Sequence, residues 1–171
     1  MKVLGILTLS CALVPLASSL GSPAEGGFVV RSLVPPGAGL AALRKAVTGA
    51  HRRLEQPECQ RLFTEFADAS GRPLQESLDA IGQTGASYLA LILFADASAR
   101  PHCKAGGSYA FTVPGSRVIY VCGSQFKEAA DQNAAKAEAL VIHEALHSLG
   151  LGESPPTSTE ITARVLARCH S

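Results

Sequence analysis

The chain has 171 residues, 47% of them hydrophobic and 17% charged, with a formal net charge of +1. That balance excludes a disordered chain, and the length suits one domain with an adequate core. The basic residues are scattered with no aromatic stripe among them, so nucleic acid and other polyanionic partners find no support.

Lys2, the apolar run over residues 3–16 and the small residues Ala17-Ser18-Ser19 read as a signal peptide over residues 1–20. The run is too short for a membrane span, so export to a periplasmic or extracellular space is expected. Cleavage would remove Cys11 and leave Cys59, Cys103, Cys122 and Cys169. An even count in an exported chain predicts two disulfides, with three connectivities open. We expect Cys103–Cys122, which brackets a hairpin, and Cys59–Cys169, which ties an early helix to the last one. Residues 21–39, rich in Gly, Pro and Ser, read as an extended, flexible leader to a single domain over residues 40–171.

Helical patterning runs from residue 40 to about 67 and is split by Pro57. A turn over residues 68–71 leads to a short amphipathic helix over 73–81, which Gly82 to Gly85 break. Residues 88–94 form an apolar run equally readable as strand or helix. Residues 108–113 and 117–122 are strand-like and flank Pro114-Gly115-Ser116, good hairpin chemistry. A helix is expected over residues 133–149. A last one runs from residue 157 to about 169 and opens on the capping-box pattern Thr157-Ser158-Thr159-Glu160.

The helix over 133–149 is dominated by Ala and Leu and stops at Gly150, the usual residue just past a helix end. Inside it stands His143-Glu144-Ala145-Leu146-His147. Positions four apart share a helix face, so the two imidazoles can converge on one ion while Glu144 projects beside them as a general base. A catalytic zinc takes three protein ligands and keeps one position open. Glu153 is the expected third ligand, because Gly150 and Gly152 permit a sharp return of the chain and zinc accepts two His with a carboxylate. Glu160 is its rival, although at N3 of a capping box its carboxyl has another use. His51, His102 and His170 read as surface residues. Tyr109 and Tyr120 offer hydroxyls for a developing oxyanion, but spacing assigns neither, and packing is their simpler role.

These residues resemble the zincin superfamily of metallopeptidases, over residues 108–160 for the most part. His143-Glu-Ala-Leu-His-Ser-Leu-Gly150 is similar to the opening of the metzincin motif. Glu153, however, stands where metzincins carry a third His, and the only methionine is Met1, which leaves no Met-turn. The order Cys103, Ala110-Phe-Thr-Val-Pro114, Val118-Ile-Tyr-Val-Cys122 and then the motif helix is similar to deuterolysin-like (aspzincin) peptidases, without their Gly-Thr-x-x-Asp motif. With Gly150-Leu-Gly-Glu153-Ser-Pro-Pro included, the pattern looks most like small secreted bacterial metallopeptidases.

The resemblance implies an α+β, zincin-like fold, mostly helical, with a small antiparallel sheet or hairpin before the motif helix. It also implies an edge strand that receives a substrate backbone. The function so expected is that of a monomeric zinc-dependent peptidase acting on a peptide or protein substrate. One Zn2+ would sit on His143, His147 and Glu153, with Glu144 as the base. Two other readings stay open: a secreted zincin-fold metal-binding or interaction protein without useful catalysis, and a zinc amidase acting on non-protein amides.

Overall fold

A computed structural model describes residues 28–170; the expected signal peptide, Cys11 and the first part of the leader lie outside the described residues. The elements follow in the order β1 (Arg31–Ser32), α1 (Ala38–Leu54), α2 (Pro57–Gln60), α3 (Leu62–Glu65), α4 (Leu74–Asp79) and α5 (Gly85–Tyr88). After a 3₁₀ turn at Leu89–Leu91 come β2 (Leu93–Asp96), α6 (Pro101–Lys104), β3 (Ala110–Thr112) and β4 (Val118–Val121). Helices α7 (Gly123–Gln132), α8 (Ala134–Ser148) and α9 (Ser158–Arg168) complete the α+β chain.

The four strands form one sheet in the order β1-β2-β4-β3. The hairpin expected around Pro114-Gly115-Ser116 is present as antiparallel β3 and β4, with Phe111 opposite Tyr120. The sheet as a whole is mixed, a correction to the small antiparallel sheet expected, because β1 and β2 join it in parallel. Parallel neighbours need long crossovers, here made by the helices between them. Residues 31–33, within the expected leader, are bonded to the sheet, where Leu33 N–H donates to the Phe94 carbonyl at 2.8 Å. The ambiguous run over residues 88–94 contains both alternatives: helix ends at Tyr88 and strand begins at Leu93.

Helix α8 is the centre of the molecule. Every residue from Val141 to Leu149 is buried, and α1, α7, α9 and the hairpin pack around it. A helix enclosed on most sides needs apolar residues around its circumference, which Ala137, Ala139, Val141, Ile142, Ala145 and Leu146 supply. Asn133 caps its start by accepting from the Lys136 amide. The same residue ends α7, a helix that was not expected as a separate element although Phe126 and Ala129 give it a buried face. Helix α1 approaches α8 closely at Gly49, where an added Cβ would lie 2.2 Å from the Glu138 carboxylate. Glu138 in turn pairs with Arg53, which also donates to the Cys169 carbonyl, so α1, α8 and the end of α9 are tied at one point.

Both expected disulfides form. Cys59–Cys169 joins α2 to the end of α9, and Cys103–Cys122 joins α6 to the end of β4. The second covers one face of the hairpin with a small cluster of Ala97, Phe111 and Tyr120. Among the described residues no helix is long and apolar enough to cross a membrane.

Candidate metal centre

The C-terminal end of α8 builds the site. Leu149 closes the helix, and Gly150 follows with φ +113°, a conformation that side chains oppose. Gly150 N–H donates to the His147 carbonyl at 2.8 Å and Leu151 N–H to the Leu146 carbonyl at 3.2 Å. This pair is the Schellman motif, with Leu151 and Leu146 both buried as its apolar contact. The turn sends the chain back along the helix and brings Glu153 over the two histidines. Gly150 alone supplies the left-handed residue; Gly152 is not at positive φ.

His147 Nε2 lies 3.0 Å from His143 Nε2, and Glu153 Oε1 lies 3.1 Å from the first and 3.6 Å from the second. Ligand atoms at two corners of a tetrahedron around an ion with bonds of about 2.0–2.1 Å would stand about 3.3 Å apart. The triangle therefore fits one small divalent ion with a fourth direction left open. These three residues form a group able to hold a metal ion. His147 Nδ1 donates to the Leu151 carbonyl at 2.7 Å, so its Nε2 carries the lone pair. In the same tautomer His143 Nδ1 donates to Thr162 Oγ1, 3.0 Å away on α9. Two nitrogen lone pairs and a carboxylate oxygen then face one another, an arrangement that repels unless a cation lies between them. Partners on the outer nitrogens of ligating histidines are the usual way that such rings are oriented.

Glu144 is buried on the same face. Its Oε2 has no hydrogen-bond partner among the described residues. Burial, helped by the charge of Glu153, raises its carboxyl to about 8, while the backbone amide of Thr112 opposes the shift. Burial, reinforced by His147, lowers His143 to about 4 against the pull of Glu153. In the metal-free chain the ring is thus neutral and ready to ligate, and the carboxyl is a protonated acid. A dication nearby would draw that carboxyl back toward its ionised form.

The hairpin forms the opposite wall. Gly115 N–H donates to the His147 carbonyl at 3.0 Å, which pins the hairpin turn to the ligand helix. Cys122 N–H donates to the Tyr109 carbonyl, so Tyr109 and Phe111 aim their backbone groups at β4. Ala110 and Thr112 then aim theirs outward from β3, which is the terminal strand of the sheet. This is why the Thr112 amide meets Glu144. Together these groups line an open cleft of about 590 Å³, with His102, Ser108 and Pro114 on its hairpin side and Ser158 beyond Glu153.

His143, Glu144, His147 and Glu153 are therefore brought together as the spacing predicts. Glu160 is not among them: its carboxylate accepts from Thr157 N–H at 2.8 Å and completes the capping box. Tyr109 and Tyr120 also stand outside the cleft. The first meets Lys136 Nζ at 3.3 Å through its hydroxyl, and the second stacks on Phe111 beneath Arg100. His51 packs on Phe28, and His170 bonds the Ala167 carbonyl. His102 is exposed, as expected of a surface residue, and it also lines the cleft, edge-on to Phe111. Thr162 was also missed, because nothing in the sequence of α9 marks which residue meets a ring on α8. No family model, curated protein or solved structure matches the chain.

Proposed function

We propose that this chain is an exported zinc-dependent peptidase of zincin-like architecture. The observation that carries the reading is the convergence of His143, His147 and Glu153 beside a buried carboxyl with a free oxygen, in a cleft flanked by the edge strand β3. The donor set suits zinc, which takes imidazole and carboxylate ligands together. Zinc held there would supply Lewis acidity and a water of lowered pKa.

The remaining chemistry falls to the chain itself. The Leu151 carbonyl holds His147 in the ligating tautomer, and the Thr162 hydroxyl orients His143 and can accept from its Nδ1. Glu144 takes a proton from the attacking water as its oxygen bonds to the scissile carbonyl carbon. The same carboxyl delivers that proton to the leaving nitrogen as the C–N bond breaks. The Thr112 amide steadies the Glu144 carboxyl, and the Ala110 amide and Thr112 carbonyl, which also face outward from β3, can align an extended peptide by strand addition. The two disulfides agree with an oxidising, exported setting.

The test is a comparison of zinc-loaded wild type with Glu144→Gln on an unfolded protein substrate. Hydrolysis should fall at least about a hundredfold in the variant, the usual worth of a positioned acid–base group, while zinc stoichiometry stays near one. A wild-type chain that binds zinc and cleaves nothing across a broad peptide library would instead favour a metal-binding or interaction protein.

A further inference from the structure

We infer that the exposed face of the β3 edge is a specificity subsite that selects an uncharged aromatic or large aliphatic side chain, with Phe111 as its floor and His102 as its wall. The inference rests on the peptidase reading for its substrate and adds which peptides would be chosen.

Strand alternation supplies the geometry. Ala110 and Thr112 share their face with the buried residues Ile119 and Val121, toward α8. Phe111 shares the other face with Tyr120. A peptide paired along the outer edge of β3 therefore turns alternate side chains to the ligand side and to the Phe111 side. On that second side His102 stands edge-on to Phe111 at 4.6 Å between ring centroids. Cys103, the next residue after His102, is locked to Cys122 at the end of β4, so this wall is covalently fixed.

The chemistry of the lining supplies the selectivity. Apart from Glu144 and Glu153, no Asp, Glu, Lys or Arg among the described residues lines the cleft, and Arg100 on the Phe111 side is stacked on the Tyr120 ring. A charged substrate side chain held between Phe111 and His102 would thus lose water against ring surfaces with no counter-charge lining its seat. An aromatic one gains offset or edge contacts with two rings. The apolar row also continues outward: Val113 is 62% exposed, one of few large hydrophobics so open to solvent. An unpartnered valine beside a half-buried phenylalanine extends the same apolar surface along the path that a paired peptide would follow.

The test uses binding, so that it does not depend on turnover. Zinc-loaded Glu144→Gln protein is titrated with fluorescein-labelled alanine-based hexapeptides carrying one guest residue, Phe, Leu, Lys or Glu, at each position in turn. At one register Phe or Leu should bind about tenfold tighter than Lys or Glu, as expected for one partly enclosed apolar side chain. Phe111→Ala should reduce that ratio to within about threefold. Val113→Asp alters only an exposed side chain and should improve Lys guests over Glu guests. Equal affinity for all guests, no binding of any peptide, or a preference untouched by both substitutions would overturn the inference. Selective binding without cleavage by the wild-type chain would sink the peptidase reading and leave this one standing. Cleavage without side-chain preference would do the reverse.

Discussion

Replacing Glu153 by Ala tests the least secure ligand most directly. The carboxylate approaches His147 Nε2 at 3.1 Å and His143 Nε2 at 3.6 Å, and its side chain is 51% exposed. Half-exposure means that the attraction between carboxylate and ion is screened nearly as in water. A dication and a unit negative charge about 2 Å apart still attract by about 4 kcal/mol at that dielectric. Loss of the carboxylate should therefore weaken zinc binding by about a thousandfold. Glu160→Ala provides the control, because that carboxylate is spent on the Thr157 cap and should leave affinity within about threefold. Competition with a chromophoric chelator at pH 7 measures both variants on one scale. If Glu160→Ala weakens binding as much as Glu153→Ala, or if Glu153→Ala changes it less than tenfold, the three-ligand assignment is wrong.

Thr162→Val keeps the shape of the side chain and removes the partner of His143 Nδ1; chelator competition should show about a 10–100-fold loss of zinc affinity with little change in melting temperature. In metal-free protein, stability should fall by about 1 kcal/mol between pH 6.5 and pH 8. The sign follows from Glu144, whose folded pKa of about 8 lies above its ordinary value, so stability is lost as pH rises through that window. His143, held low when folded, is half protonated in the unfolded chain at pH 6.5, so it opposes the loss by about 0.4 kcal/mol and does not reverse it. Urea melts of the chelated Glu144→Gln variant should lose this fall across the window; an unchanged slope would refute the assignment. Removing Cys59–Cys169 as a Ser pair should cost about 5 kcal/mol and removing Cys103–Cys122 about 3 kcal/mol, because the first closes the longer loop. Equal losses in denaturant titrations would contradict that ordering.

The features legible in the sequence are those encoded locally. Helix α8 announces itself through Ala and Leu content and a stop at Gly150, and the Thr157 cap through residues three apart. The hairpin follows from Pro114-Gly115 between two β-rich runs, and Glu153 from the need to reverse after Gly150. What stayed hidden depends on contacts between distant segments. Nothing near Arg31 says that it pairs with Leu93, and nothing near Leu93 says that it pairs with Val118. The mixed sheet therefore could not be read from alternation alone. Thr162 reaches His143 only because α9 docks on α8, with the Arg53 bond to the Cys169 carbonyl and the Cys59 bridge holding its end. His102 enters the cleft because the Cys103 bridge places its short helix beside Phe111.

The three candidate ligand atoms all come from one helix end and the turn after it, between His143 and Glu153. Everything that would put an ion to use arrives from elsewhere: the Thr112 amide, the strand edge and the wall bearing His102. Capture and use are thus encoded in separate stretches of chain. On the proposed function, a lesion in the hairpin, or loss of the Cys103–Cys122 bridge, would leave a molecule that still takes up metal but no longer seats a peptide. Metal content in a preparation would then report the health of one helix and its turn, while only turnover reports the architecture around it.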